Sequence, residues 1–141
     1  MLPISIKLLH DKAIVPTQSH PYDAWYDLYS CEEYTLQPWE RHNFMIWIAM
    51  IMPEWWYWHI APRSWLAIKH GIDTLAGVVD HSYTWEICVV LINLWQEPYY
   101  VLPGDRIAQY IFSQCGSAAF TIVDELPITS RQESRFGSTG K

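Results

Sequence analysis

Runs of β-branched, aromatic and aliphatic residues recur along the chain at residues 4–9, 43–52, 56–61, 86–94, 106–112 and 120–123. Pro16, Pro21, Pro38, Pro53, Pro62, Pro98, Pro103 and several Asp/Gly turns separate them. Such runs predict short strands. Six or more at this spacing predict an all-β protein, a compact barrel or jelly roll. Residues 43–52 and 87–94 are apolar at nearly every position instead of alternating. A strand of that kind is expected to be buried on both faces, between two sheets or between subunits. Only 64–70 reads as helix, and it is short. There is no repeat and no linker before about residue 126. One domain over 1–126 and a flexible C-terminal segment over 127–141 are therefore expected.

At 141 residues the chain has room for one sizeable core. No stretch approaches the ~18 uninterrupted apolar residues of a membrane span, so no membrane partner is expected. The first residues, MLPISIKLLHDK, lack the ordered charge, apolar core and cleavage site of a signal peptide. Cys31, Cys88 and Cys115 show no CxxC spacing and read as free thiols in a reducing, cytoplasmic compartment. The six histidines show no metal spacing. A net charge of −6 supplies no basic surplus for counterion release, which argues against nucleic acid. It leaves room for a small anionic nucleotide held by a few arginines.

Five segments carry the candidate chemistry. The chain closes on Arg135-Phe136-Gly137-Ser138-Thr139-Gly140-Lys141, where backbone N–H groups and hydroxyls suit polyphosphate oxygens and Phe136 offers a ring to a base. Arg131, just upstream, brings a fixed positive charge. Ala24-Trp25-Tyr26-Asp27-Leu28 sets a carboxylate at a turn-to-strand junction. Ala61-Pro62-Arg63-Ser64-Trp65-Leu66-Ala67 puts Arg and Ser where a strand ends and a helical turn begins, a natural phosphate position. Residues 77–86 read as a hairpin carrying Asp80 and Tyr83, and Gly104-Asp105-Arg106-Ile107-Ala108-Gln109 reads as the opening of a strand with a hydrogen-bonding face. Each has a plainer reading. Gly/Ser-rich ends are usually tails; Asp27, Asp80 and Asp105 also suit Asx turns, and Arg63 and Arg106 suit surface ion pairs.

Taken in order, the five segments resemble the motifs of the trimeric dUTP diphosphatases (dUTPases), over about residues 6–141. The resemblance implies a jelly-roll-like distorted barrel of the β-clip type, assembled as a homotrimer with active sites at subunit interfaces. It implies hydrolysis of dUTP to dUMP and pyrophosphate by water attacking the α-phosphorus, with Mg²⁺ as cofactor. Asp80 would be the catalytic carboxylate. Asp27 would hold the metal, through water. Arg63, Ser64, Trp65 and Gln109 fall at the phosphate-contacting positions, with Asp105 and Arg106 in support. The backbone of Gly77, Val78 and Val79 would read the uracil edge, and Tyr83 would pack beneath the deoxyribose. Arg131, Phe136, Gly137, Ser138 and Thr139 would close over the nucleotide as a lid from another subunit. A non-catalytic trimeric nucleotide-binding relative, or the fold-sharing dCTP deaminase, are the alternatives.

The sequence departs from that family in a patterned way. It holds nine tryptophans and only six glycines, few for a turn-rich β protein. Trp25, Trp39, Trp47, Trp55, Trp58, Trp65, Trp85 and Trp95 all fall where the family typically carries glycine. Some bacterial lineages read UGA as glycine, and the one-directional coincidence is expected if these codons are UGA. Were all eight positions left-handed, the backbone cost would reach roughly 8–16 kcal/mol. Smaller departures are Ser82, where an acidic residue is common, His59 for Arg, and Gln132, Ser134 and Arg135 in a glycine-richer run.

Overall fold

The computed structural model describes residues 2–129. Among them are eleven strands and one helix, so the all-β expectation holds. The strands are β1 (Ser5–Leu8), β2 (Tyr26–Tyr29), β3 (Tyr34–Leu36), β4 (Arg41–Met45), β5 (Ile48–Ile51), β6 (Trp56–Ala61), β7 (Ile72–Leu75), β8 (Val78–Asp80), β9 (Cys88–Asn93), β10 (Tyr99–Val101) and β11 (Arg106–Gln114). The helix α1 (Ser64–His70) follows β6. Every pairing is antiparallel. The strands form a four-stranded sheet β2-β11-β6-β8, a three-stranded sheet β4-β9-β7, and the pairs β1-β5 and β3-β10.

The core follows from alternation. In β6, Trp58 and Ile60 point inward while His59 faces out. In β9, Val89, Leu91 and Asn93 are buried and the residues between them half-buried. Fully enclosed Leu28, Leu36, Phe44, Ile48, Ile72, Ile107 and Tyr110 complete one hydrophobic interior. Trp58 stacks on Tyr110 within it, ring centroids 5.1 Å apart.

Four expectations need correction or narrowing. The apolar run 43–52 is two strands, because the chain turns at Ile46–Trp47 and Trp47 takes a φ of 53°. Residues 77–86 are not a hairpin, because β8 pairs only with β6 among the described strands; the run 87–94 buries one face within the single chain, with Cys88, Val90 and Ile92 half-buried. Residues 120–123 form no strand, and Phe120 and Ile122 are almost wholly exposed. Composition alone made that stretch resemble a strand; a strand also needs a partner edge, and the described chain gives it none.

The tryptophan expectation divides. Trp39, Trp47 and Trp55 occupy the left-handed region, at φ values of 65°, 53° and 67°. An L-residue there costs about 1–2 kcal/mol. Trp25, Trp58, Trp65, Trp85 and Trp95 do not, so the backbone argument fails for Trp65 and Trp85.

Candidate active site

Two clusters of sequence-predicted residues lie at opposite edges of the four-stranded sheet. The first is built on Asp27 in β2. In register across the sheet, Asp27 stands beside Gln109 of β11, and Gln109 beside Ala61 of β6. The chain leaves β6 through Pro62 and enters α1, which brings Arg63 back over β2. The Asp27 carboxylate is buried. Its Oδ1 lies 3.2 Å from Arg63 Nε and its Oδ2 3.4 Å from Arg106 Nη1. Ser19 Oγ donates to Oδ2 at 3.3 Å, and Arg63 Nη1 donates to the Arg106 carbonyl at 3.2 Å. One carboxylate thus faces two guanidinium groups, and the corner keeps a surplus positive charge suited to phosphate.

Ser64 and Trp65 are exposed in the first turn of α1. The Trp65 ring lies 4.7 Å from that of His70, which lies 5.0 Å from that of Tyr99. Burial pushes the Tyr99 phenol up from its ordinary value, with Arg63 opposing. Asp105 closes the turn into β11: its carboxylate accepts from the Leu102 N–H at 2.9 Å and its carbonyl from the Ser30 N–H at 2.9 Å.

The second cluster is a cavity of about 210 Å³ lined by Val78, Val79, Asp80 and Tyr83. Gly77 introduces it, held where a Cβ would stand 2.3 Å from the Ile60 carbonyl oxygen. Tyr83 is fixed twice, by its N–H on the Asp80 carbonyl at 3.1 Å and by its hydroxyl donating to the Glu86 carbonyl at 3.1 Å. Asp80 is exposed, and among the described residues nothing hydrogen-bonds or ion-pairs with its carboxylate. Cys88 and Val90 also line the cavity and were not foreseen. They share a face of β9, so alternation around the buried Val89 was the signal available.

The clusters do not meet within one chain. Asp80 pairs in register with Tyr57, while Asp27 reaches Ala61 of the same strand through Gln109. Three strand spacings and a four-residue offset put them roughly 20 Å apart. Arg131, Phe136, Gly137, Ser138 and Thr139 lie outside the described residues. No group of three or more His, Cys, Asp or Glu able to hold a metal occurs among those described.

Comparison with known proteins decides the family. The dUTPase family profile matches residues 11–140. The chain belongs to the dUTPase family. Among curated relatives, the deoxyuridine 5′-triphosphate nucleotidohydrolase of Variola virus is 44% identical over 130 residues, covering 92% of this chain and 88% of that protein. That of Clostridium novyi is 42% identical, covering 96% of each chain, and that of Candida glabrata 38% identical, covering 98% and 96%. The fold is that of the Staphylococcus bacteriophage 80alpha dUTPase solved with dUPNHPP, at a TM-score of 0.89, 24% identity and 99% coverage of both chains. A dUTPase variant from phage phi11 of S. aureus, described with a structural Mg(II) ion, superposes at a TM-score of 0.82 with 21% identity, covering 88% of this chain and 98% of that one. Among the described residues, no helix of this dUTPase is long and apolar enough to cross a membrane.

Proposed function

We propose that this dUTPase hydrolyses dUTP to dUMP and pyrophosphate, and that it does so as a homotrimer whose sites are shared between subunits. The observation that carries the catalytic half is the Asp80 carboxylate, unpaired among the described residues at the mouth of an apolar cavity beside a fixed Tyr83. Uracil enters against the backbone of Gly77, Val78 and Val79. The deoxyribose rests on Tyr83, where a ribose 2′-OH has no room. Asp80 accepts a proton from water as the water oxygen bonds to the α-phosphorus. The bond from that phosphorus to the α,β-bridging oxygen breaks, and pyrophosphate leaves. Positioning and charge stabilisation supply most of the acceleration in such reactions.

Arg63, Ser64 and Gln109 hold the phosphates. In one chain two strand spacings and a four-residue offset put Gln109 roughly 17 Å from Asp80, with Arg63 and Ser64 past the far end of β6, farther than the phosphates of one nucleotide reach. A second copy of the chain therefore supplies them. Exposed Phe120, Ile122 and Ile128, together with the half-buried outer face of β9, offer apolar surface for that contact. The segment 127–141, with Arg131, Phe136, Gly137, Ser138 and Thr139, closes over the bound nucleotide.

The corner fits Mg²⁺ in one respect: Asp27 Oδ1 is buried and accepts no hydrogen bond among the described residues. Asp27 would hold the ion through water, with triphosphate oxygens as the other ligands. When bound, the ion offsets charge on the leaving pyrophosphate. The net charge of −6 and the free thiols support a cytoplasmic nucleotide enzyme without a nucleic-acid partner. The test is pyrophosphate release with Mg²⁺ from dUTP, UTP and dCTP, with ammonia measured in parallel. Release from dUTP alone is expected; ammonia from dCTP, or binding of dUTP without turnover, would overturn the proposal.

A further inference from the structure

We propose that Asp27 is a positioning residue for Arg63 and Arg106, a role separate from any contact with metal; the inference rests on the assignment of this corner to phosphate. Each carboxylate oxygen addresses a different arginine, Oδ1 facing Arg63 Nε at 3.2 Å and Oδ2 facing Arg106 Nη1 at 3.4 Å. The three residues come from β2, from the residue that opens α1, and from the first position of β11, so the carboxylate ties three elements together. The Asp27 side chain is 2% exposed, against 21% for Arg63 and 47% for Arg106. The anion is therefore the fixed point, and the cations project from it toward solvent. Two like-charged guanidiniums repel one another unless an anion stands between them. Arg63 is further restrained by its Nη1, which donates to the Arg106 carbonyl. A triphosphate arriving here meets arginines already held, and its binding costs little side-chain entropy.

A role confined to metal and a role in positioning predict opposite results in metal-free solution. The measurement is the affinity for a non-hydrolysable α,β-imido analogue of dUTP, by calorimetry in EDTA, for the unaltered protein, Asp27→Asn and Asp27→Glu. If Asp27 served metal alone, removing its negative charge from beside the triphosphate would leave EDTA binding unchanged or tighter. Positioning predicts about tenfold weaker binding, the size of a lost charge-assisted hydrogen bond. Asp27→Glu keeps the charge and displaces it by one methylene, so it decides the matter should Asp27→Asn not fold. Near-ultraviolet circular dichroism identifies the folded variants. Unaltered or tightened binding in the folded variant overturns the inference. Failure of the unaltered protein to bind the analogue with Mg²⁺ present overturns instead the assignment of the site to dUTP.

A second observation stands apart from the active site. Trp39, Trp47 and Trp55 sit at φ values of 65°, 53° and 67°, a region they share with Gly71 at 62°, Gly104 at 89°, Tyr22 at 73° and Ala76 at 54°. Burial does not explain them: Trp39 and Trp55 are 67% and 56% exposed, and Trp47 is half-buried beside His10. A different strain marks Trp58, whose indole N–H is fully enclosed and donates to nothing among the described residues. We infer that the gene specifies glycine at positions 39, 47 and 55, through UGA codons that the source cell reads as glycine. The gene sequence tests this directly. TGA is expected at all three codons, and TGG at any one overturns the inference for that position. Peptide masses from protein made in the source cell separate the two residues independently: glycine is expected at each position, and tryptophan overturns the inference there.

Discussion

Gly77 lies so close beneath Ile60 that a Cβ on it would stand 2.3 Å from the Ile60 carbonyl oxygen, while the Ile60 N–H donates to the Gly77 carbonyl at 2.7 Å. The turn proposed to read uracil is thus pinned to β6 by a contact open only to glycine. Gly77→Ala must push the two backbones apart, at about 1–3 kcal/mol. We expect KM for dUTP to rise more than kcat falls, and denaturant titration to register the lost stability. A variant with unchanged KM and stability would mean that the turn yields freely.

The Asp80 carboxylate lends no hydrogen bond or ion pair to the fold among the described residues, so its replacement should spare stability and remove turnover. Asp80→Asn is expected to lower kcat by about 10²–10⁴-fold, with an unchanged urea midpoint and retained binding of the imido analogue. Residual activity near that of the unaltered enzyme would transfer the water-activating role elsewhere.

Because the Asp80 cavity and the Arg63 corner are at opposite edges of one sheet, inactive variants should complement each other. Asp80→Asn and Arg63→Ala are each expected to be nearly inactive. Refolded together in equal amounts, they should regain about one quarter of full activity, the fraction of shared sites that random assortment in a ring leaves whole. No recovery from a well-mixed assembly would place both clusters in one subunit's site.

The pair Tyr34–Glu40 should shape the pH dependence of stability. Tyr34 donates to Glu40 Oε1 at 2.6 Å, which holds the Glu40 carboxyl below its ordinary 4.5 and raises the Tyr34 phenol above 10.0. A depressed carboxyl contributes stability that is present above its unfolded value and lost as pH falls through the folded one; a raised phenol contributes below its unfolded value and loses it as pH rises. Both contributions are in force between 4.5 and 10.0. Urea midpoints across pH should therefore fall off less steeply at the acid end in Glu40→Gln and at the alkaline end in Tyr34→Phe.

Trp39→Gly, Trp47→Gly and Trp55→Gly each relieve a left-handed side chain worth about 1–2 kcal/mol, less up to about 1 kcal/mol for glycine's freedom in the unfolded chain. The triple variant should melt several degrees higher. Trp65→Gly and Trp85→Gly relieve no such strain and should each lower stability by up to about 1 kcal/mol, so a rise confined to the first three isolates the backbone term.

Much of this was legible in the sequence where local chemistry decides the outcome. The proline breaks and apolar runs located β6, β11 and most of β9, and Ser64–His70 is the only helix among the described residues. Gly104-Asp105-Arg106 opens β11 because Asp105 can close its own turn. What stayed hidden was set by partners distant in the chain. Tyr34–Leu36 and Tyr99–Val101 are three residues each, and become strands only by pairing with one another. Residues 120–123 have the composition of a strand and no edge to join among the described residues. Motif order placed Asp27, Arg63 and Arg106 among the candidate site residues. That one carboxylate would stand between both arginines follows from β2 and β11 being neighbours, which no spacing states.

The distance between Asp27 and Asp80 has a consequence for how the enzyme behaves in bulk. A lone subunit would own two halves of different sites and no complete one. Specific activity should then fall on dilution below the assembly constant, even while each chain stays folded. In a mixed ring, one subunit carrying defects in both clusters would silence the two sites it borders, so such a variant acts as a poison in excess of its number.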